Sequence, residues 1–237
     1  MRVLDIDLDF FLADCCPLAA IGERPALAGH EPWMEATVVR FLEEQCGLST
    51  ARPLPGRMME THDGALRFWD ERLREGTLTA PFRVTHVDAH SDLGIGRPGP
   101  GFALNTVLAR RPEARADIPA YYGQKQLDEA NYLLFALAFR WVGELDNVRN
   151  PRSRPDIPRE ILAPGQSDLI RLSSFVSRFF EGTNGPEPEI PFHVYEDYTA
   201  FSAPGDFDFL TVAVSPRYAP REAEALLPVF ERYIRPV

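Results

Sequence analysis

Residues 84–92, Val-Thr-His-Val-Asp-Ala-His-Ser-Asp, constrain the chain more than any other stretch. An apolar, β-branched lead-in runs directly into Asp-x-His-x-Asp. On a strand, side chains alternate between faces, so His86, Asp88, His90 and Asp92 would fall on one side. Burying a row of unpaired carboxylates costs several kcal/mol for each. A divalent cation among them removes that cost, which makes a purely structural strand the poorer reading.

The N-terminus carries a matching row. In MRVLDIDLDFF, read as one strand, Leu4, Ile6, Leu8 and Phe10 share one face, and Asp5, Asp7 and Asp9 share the other. Same-face neighbours lie about 6.7 Å apart on a strand. Three carboxylates at that spacing repel one another unless something positive lies among them. The two stretches answer each other if they lie side by side. A metal site then forms at their C-terminal ends, where open parallel sheets bind ligands.

These residues carry a family resemblance. Asp88-Ala89-His90-Ser91-Asp92 resembles the DAHxD motif of the arginase and agmatinase (ureohydrolase) superfamily, and Asp7-Leu8-Asp9 resembles its Asp-x-Asp at a strand end. Glu60-Thr61-His62-Asp63, before an amphipathic stretch containing Trp69, resembles the segment that gives the first histidine ligand. The combination of LDIDLDFF, HVDAHSDL and a late TVAVSP is closer to a small branch that includes the peptide arginases. Those enzymes convert arginine side chains to ornithine in ribosomally made precursor peptides. The chain departs from ordinary arginases in motif order, since its Asp-x-Asp strand precedes DAHxD.

With 237 residues, 45% of them hydrophobic, the chain is expected to form one globular domain with a full α/β core. There is no signal-peptide pattern and no apolar run of about 18 residues, so a cytoplasmic protein without a membrane partner is expected. Net charge is −10, and Lys125 is the only lysine. That balance argues against nucleic acid and suits a cationic substrate such as an arginine peptide. Cys15, Cys16 and Cys46 form no CxxC or disulfide pattern and read as buried or incidental thiols.

Along the chain, residues 14–32 read as a loop or lid near the site, and 33–45 as an amphipathic helix. Residues 51–58 read as a Pro/Gly-rich turn and 60–75 as a helix. In that helix His62, Leu66, Trp69 and Leu73 share a face, where His62 competes as a ligand with a core or capping histidine. Residues 82–88 read as a strand. The Gly/Pro-rich 93–101 is expected to line the substrate entrance. Residues 102–110 begin a helix and 127–141 form an apolar one. Residues 150–164 read as an exposed connection, 168–172 as a short strand, 175–180 as a short helix or turn and 182–191 as a loop. Residues 192–197 and 207–215 read as strands and 220–234 as the last helix. The expected architecture is a three-layer α/β/α fold with a mainly parallel sheet, arginase-like but with altered motif order.

The candidate ligands are Asp7, Asp9, His62, Asp88, His90 and Asp92, too many for one four-coordinate zinc but suited to two metals with a bridging carboxylate. Oxygen-rich ligands with some imidazole favour Mn²⁺, two per chain. Two metals about 3.5–4 Å apart can share and deprotonate a water. Attack on a guanidinium carbon needs such a nucleophile. Asp5 and His86 read as residues supporting the ligands, with a ligand role for Asp5 left open. A guanidinium also needs a carboxylate fork. Ordinary arginases use a late-strand glutamate, and TVAVSP has none, so Glu196 and Asp197 are the candidates, with Asn105 as a further substrate contact. His193 reads as structural.

Three other readings compete. A haloacid-dehalogenase-type phosphatase shares the Asp-x-Asp strand but leaves HVDAHSD unexplained. A metal-dependent deacetylase or amidohydrolase of the same architecture would favour one metal and fewer carboxylates. A binding protein could keep the fold without turnover.

Overall fold

The computed structural model describes residues 1–94, 96, 98–174 and 186–237. The short helix or turn expected at 175–180 lies outside the described residues, as does the start of the loop expected from 182.

β1 (Arg2–Asp7) sits at the middle of an eight-stranded sheet. The other strands are β2 (Leu54–Met59), β3 (Phe82–Asp88), β4 (Val142–Arg149), β5 (Leu169–Ile170), β6 (Ile190–Tyr195), β7 (Phe209–Ala213) and β8 (Ile234–Pro236). Their order is β5-β6-β4-β3-β1-β7-β2-β8, and only the β5–β6 pair is antiparallel. Register places Asp5 between His86 of β3 and Thr211 of β7, and it places Asp88 beside Arg149 of β4.

Helices cover both faces, which gives the expected layered α/β architecture. On one side lie α2 (Gly64–Arg74) and α4 (Tyr132–Ala138), whose Leu66, Phe68, Trp69 and Leu133 pack with Val3 and Val84. Complete burial of a side chain such as Leu66 or Phe68 stabilises by about 1.5–3 kcal/mol. On the other side, α1 (Glu35–Arg40), which runs on into a wider turn over Phe41–Gln45, and α5 (Leu227–Glu231) pack on Leu4, Ile6 and Val87. α3 (Ile118–Gly123) falls between α2 and α4 in sequence, and its Ile118 and Tyr121 join their cluster. Alternation along β1 sends Leu4 and Ile6 one way and Val3, Asp5 and Asp7 the other, toward α2 and α4. No helix among the described residues is long and apolar enough to cross a membrane.

Several elements differ from expectation. β1 ends at Asp7, because the Asp7 Oδ1 accepts the Asp9 N–H at 3.0 Å and starts a 3-10 turn over Leu8–Phe11. Asp9 therefore leaves the strand's alternation. The stretch expected to be a turn at 51–58 contains β2. Its Gly56 fits there because a Cβ would stand 1.9 Å from the Leu210 carbonyl oxygen, so this glycine marks a close strand approach. The helix expected from 60 begins at Gly64, with His62 in the turn before it. The helix expected over 127–141 shortens to α4, because the Asn131 side chain holds the preceding turn through the Asp128 N–H and the Gln126 carbonyl. The last helix is a 3-10 segment, Arg221–Leu226, followed by α5. β4 and β8 were not expected.

Candidate metal centre

The ends of β1 and β3 meet in a buried patch of histidines and aspartates. His62, His86, Asp88 and Asp92 bring one ligand atom each to within 4.8 Å of one another, and so do Asp9, Asp88 and His90. Asp88 belongs to both groups. Either group could hold a metal ion.

Local folding explains how each side chain arrives. Two hydrogen bonds extend the β7 pairing past its end: Val214 N–H to the Met59 carbonyl and Ser215 N–H to the Glu60 carbonyl. They carry the His62 turn over the end of β1. There the His62 Nδ1 lies 2.9 Å from Asp88 Oδ2, 3.0 Å from Asp92 Oδ2 and 3.1 Å from Asp7 Oδ2. The His62 Nε2 faces Asp5 Oδ2 at 3.3 Å. Asp5 is itself held by the Tyr132 hydroxyl at 2.5 Å and by the Thr211 hydroxyl.

On the neighbouring strand, the His86 Nε2 lies 3.3 Å from Asp88 Oδ2 and its ring stacks on His62 at 5.1 Å. Asp92 and Ser215 both take left-handed backbone, with φ of 51° and 46°. Asp92 thereby turns back toward His62, and the Ser215 hydroxyl donates to Asp7 Oδ2. Two residues in such geometry around one cluster fit the pattern of backbone strain held at functional sites. The loop between Asp88 and Asp92 is braced by Asp156, which accepts from the Ser91 N–H at 2.7 Å and is held by the buried Arg149 at 2.6 Å.

The second group opens outward. The His90 Nδ1 lies 2.9 Å from Asp9 Oδ2, and the Asp9 Oδ1 accepts the Ala89 N–H at 3.2 Å. His90 is half-buried, with Tyr218 against its ring at 4.8 Å. It borders a cavity of about 420 Å³ that is also lined by Asp14, Cys15, Cys16, His30, Arg152 and Arg154. The 14–32 loop thus contributes a wall to this cavity, with its ends pinned by Ala13 N–H to Glu31 O and Trp33 N–H to Phe11 O. Burial, with the nearby Asp9 charge, pushes the Cys15 and Cys16 thiols up.

The donor set fits divalent cations. Both ring nitrogens of His62, Nε2 of His86, Oδ2 of Asp88 and Oδ2 of Asp9 are buried without a hydrogen-bond partner. The His62 Nδ1 sits near three carboxylates, yet none lies where an in-plane N–H could donate to it. Buried polar atoms are rarely left this way. Lone pairs that converge without bonding one another are what a cation needs.

Protons stand in for that cation charge in the metal-free protein. Burial, with the charges of Asp7 and Asp88, pushes Asp9 well above the usual carboxylate range. Burial, with the Asp88 charge, takes Asp92 from 3.8 up to about 7. Burial alone would lower the imidazoles. Instead Asp5 and Asp88 lift His86 from 6.5 to about 10, and the neighbouring aspartates raise His62 and His90 as well. A raised carboxylate loses stability as pH climbs toward its folded value. A raised imidazole gives stability that is complete below its unfolded value and lost as pH rises through its folded one. Both act in the same direction. Asp5 and Asp88, held low by the histidines against the effect of burial, change stability only in acid. Chelator-treated protein should therefore melt at a lower temperature at about pH 9 than at about pH 6, and manganese uptake should strengthen with pH and release protons. Equal melting temperatures at the two pH values would remove this account.

The sequence-predicted ligands Asp7, Asp9, His62, Asp88, His90 and Asp92 all meet in this patch, and His86 joins them with a free nitrogen rather than standing behind. Asp5 lies on the far side of His62. The predicted substrate residues take other partners. Glu196 faces the Arg149 Nε at 3.6 Å with 74% of its side chain exposed, Asp197 caps the turn at Thr199, and the Asn105 Nδ2 donates to the Gly101 carbonyl at 3.0 Å. A third acidic group, Glu144, Asp146 and His193, is accounted for by internal partners: Arg83 takes Glu144, and His193 Nδ1 lies 3.2 Å from Asp146. Tyr132, Thr211, Ser215 and Asp156 were missed as site residues; the tyrosine inside an otherwise apolar helix was the available signal. No protein-family model matches this chain and no curated protein does, so the centre stands on its own geometry.

Proposed function

We infer that the chain is a binuclear manganese hydrolase that cleaves the guanidino group of arginine side chains in a peptide, giving ornithine and urea. The observation that carries this reading is the pair of ligand groups joined through Asp88. His62, His86, Asp88, Asp92 and Asp7 would hold one cation, and Asp9, Asp88 and His90 the other. A bound pair of cations supplies a water acidified toward neutral pH and an electric field that stabilises charge developing on the reacting group.

The chain's own residues do the positioning. Asp5, held by Tyr132 and Thr211, sets a buried negative charge beside the His62 ring, and Ser215 holds Asp7. The backbone N–H groups of Ala89 and His90 fix one oxygen each of Asp9 and Asp88, leaving the other oxygen of each directed into the patch. Burial of six of the seven ligand side chains excludes bulk water, and His90, the seventh, faces the cavity through which a substrate side chain enters. The net charge of −10 favours a cationic substrate. The phosphatase reading lacks its lysine near an acidic pair, because Lys125 is exposed in the turn after α3. The test is urea release from an arginine-containing peptide, with free arginine in parallel, by protein loaded with Mn²⁺. Urea from the peptide supports the proposal, urea from free arginine alone moves it to a metabolic arginase, and no urea from either sinks it.

A further inference from the structure

Among the described residues, three buried carboxylate oxygens have no hydrogen-bond partner: Asp9 Oδ2, Asp88 Oδ2 and Glu129 Oε2. The first two belong to the metal groups. The third belongs to neither, and no role above uses it. Glu129 lies in the turn before α4 and is 8% exposed. Its other oxygen, Oε1, accepts from the Arg217 Nη1 at 3.2 Å.

The surroundings of Glu129 tie it to segments that border the metal patch. Arg217 also donates through Nε to the Ala19 carbonyl at 3.1 Å, and its own carbonyl accepts the Ala19 N–H at 2.9 Å. The pair therefore ties the 14–32 loop, which walls the cavity, to the segment that follows β7. Tyr218, the next residue, packs on His90. Ala130, which follows Glu129, accepts the N–H of Gly94, two residues beyond Asp92. Burial raises the Glu129 carboxyl to about 7, with Arg217 opposing the rise and the charges of Asp63 and Asp7 adding to it. One arginine neutralises one oxygen. Leaving the second buried and unpaired forfeits its hydration with nothing in return. Such a cost is recovered when a ligand brings the missing donor.

We propose that Glu129 Oε2 is the docking point for the cationic head of the substrate, held in place by Arg217 on the opposite oxygen. On the function proposed above, on which this rests for the identity of the cation, the head is the guanidinium of peptidyl arginine, and Glu129 sets specificity for it.

The experiment compares wild type, Glu129→Gln and Glu129→Asp, each loaded with Mn²⁺, on one arginine-containing peptide and its lysine counterpart. Bound manganese per chain is measured alongside. If wild type releases urea, KM is read from the kinetics. If it releases none, the proposed function fails, and the same peptide then serves as a ligand without turnover whose Kd is read by calorimetry. The expected result is a KM or Kd raised at least tenfold in Glu129→Gln, partly restored in Glu129→Asp, with manganese content equal to wild type. An unchanged KM or Kd, as a carboxylate kept for a water or for Arg217 would give, overturns the proposal. So does a loss that tracks lost manganese, or wild type that binds neither peptide. Urea release with an unaffected Glu129→Gln leaves the function standing and removes this inference alone.

Discussion

Asp88→Asn should lower bound manganese from two per chain to no more than one, and should cut urea release by more than the roughly 10–100-fold that loss of an outer partner of a metal costs. The reason is position. Asp88 offers Oδ2 to the group containing His62 and His86, and it belongs as well to the group containing Asp9 and His90. An amide keeps the shape but loses the charge that two cations would share. The fold should survive, because β3 is paired on both edges through its backbone and Asp88 is only its last residue. His90→Ala provides the contrast: it touches one group only and should leave one cation bound. Metal analysis beside far-UV circular dichroism checks both. Two metals in Asp88→Asn, or turnover close to wild type, would dismantle the binuclear centre.

Glu187→Ala should destabilise the protein by about 3–5 kcal/mol, the usual cost of stripping one partner from a buried ion pair. Arg115 is wholly buried and every nitrogen is used. Nε donates to the Arg110 carbonyl, Nη1 to the Ala138 carbonyl and Nη2 to the Leu108 carbonyl. The two terminal nitrogens also fork onto Glu187 at 2.9 and 2.6 Å. Burial would raise the Glu187 carboxyl, but Arg115 and Arg140 hold it below the usual range. Its contribution is therefore complete above its unfolded pKa and is lost as pH falls through the folded value. For a chain of this size the melting temperature should drop by roughly 6–20 °C. A single variant that melts like wild type would show that the pair adds nothing to stability.

How much of this was legible in the residues depends on what each signal required. β3 was readable to its end because Val84, Thr85 and Val87 alternate with residues that only a site explains. The ligand candidates were readable because carboxylates at strand ends are costly without a cation. His86 was placed behind the ligands because nothing in a linear pattern shows that its Nε2 is left without a donor or acceptor. Asp9 joins the cluster from a turn, a geometry that Asp7 creates by capping and that period-two alternation cannot foresee. β2 was hidden by its proline and glycine, although Gly56 is there because two strands come too close for a side chain. β4, Val-Gly-Glu-Leu-Asp-Asn-Val-Arg, was hidden because it carries Asn147 and Arg149 where a buried strand usually shows aliphatics. Tyr132 and Ser215 act through neighbours more than 120 positions away, which no local window contains.

The central place of β1 has a consequence for biogenesis. Its Asp5 waits for Thr211, 206 positions later in synthesis, and its Asp7 waits for Ser215. During translation the aspartates are made long before the hydroxyls that steady them, and contacts so distant in the chain form slowly. An emerging chain would thus carry all of its ligand candidates by residue 92 but not the hydroxyls that steady Asp5 and Asp7, so the settled form of the patch is a late event, tied to the arrival of the C-terminal quarter.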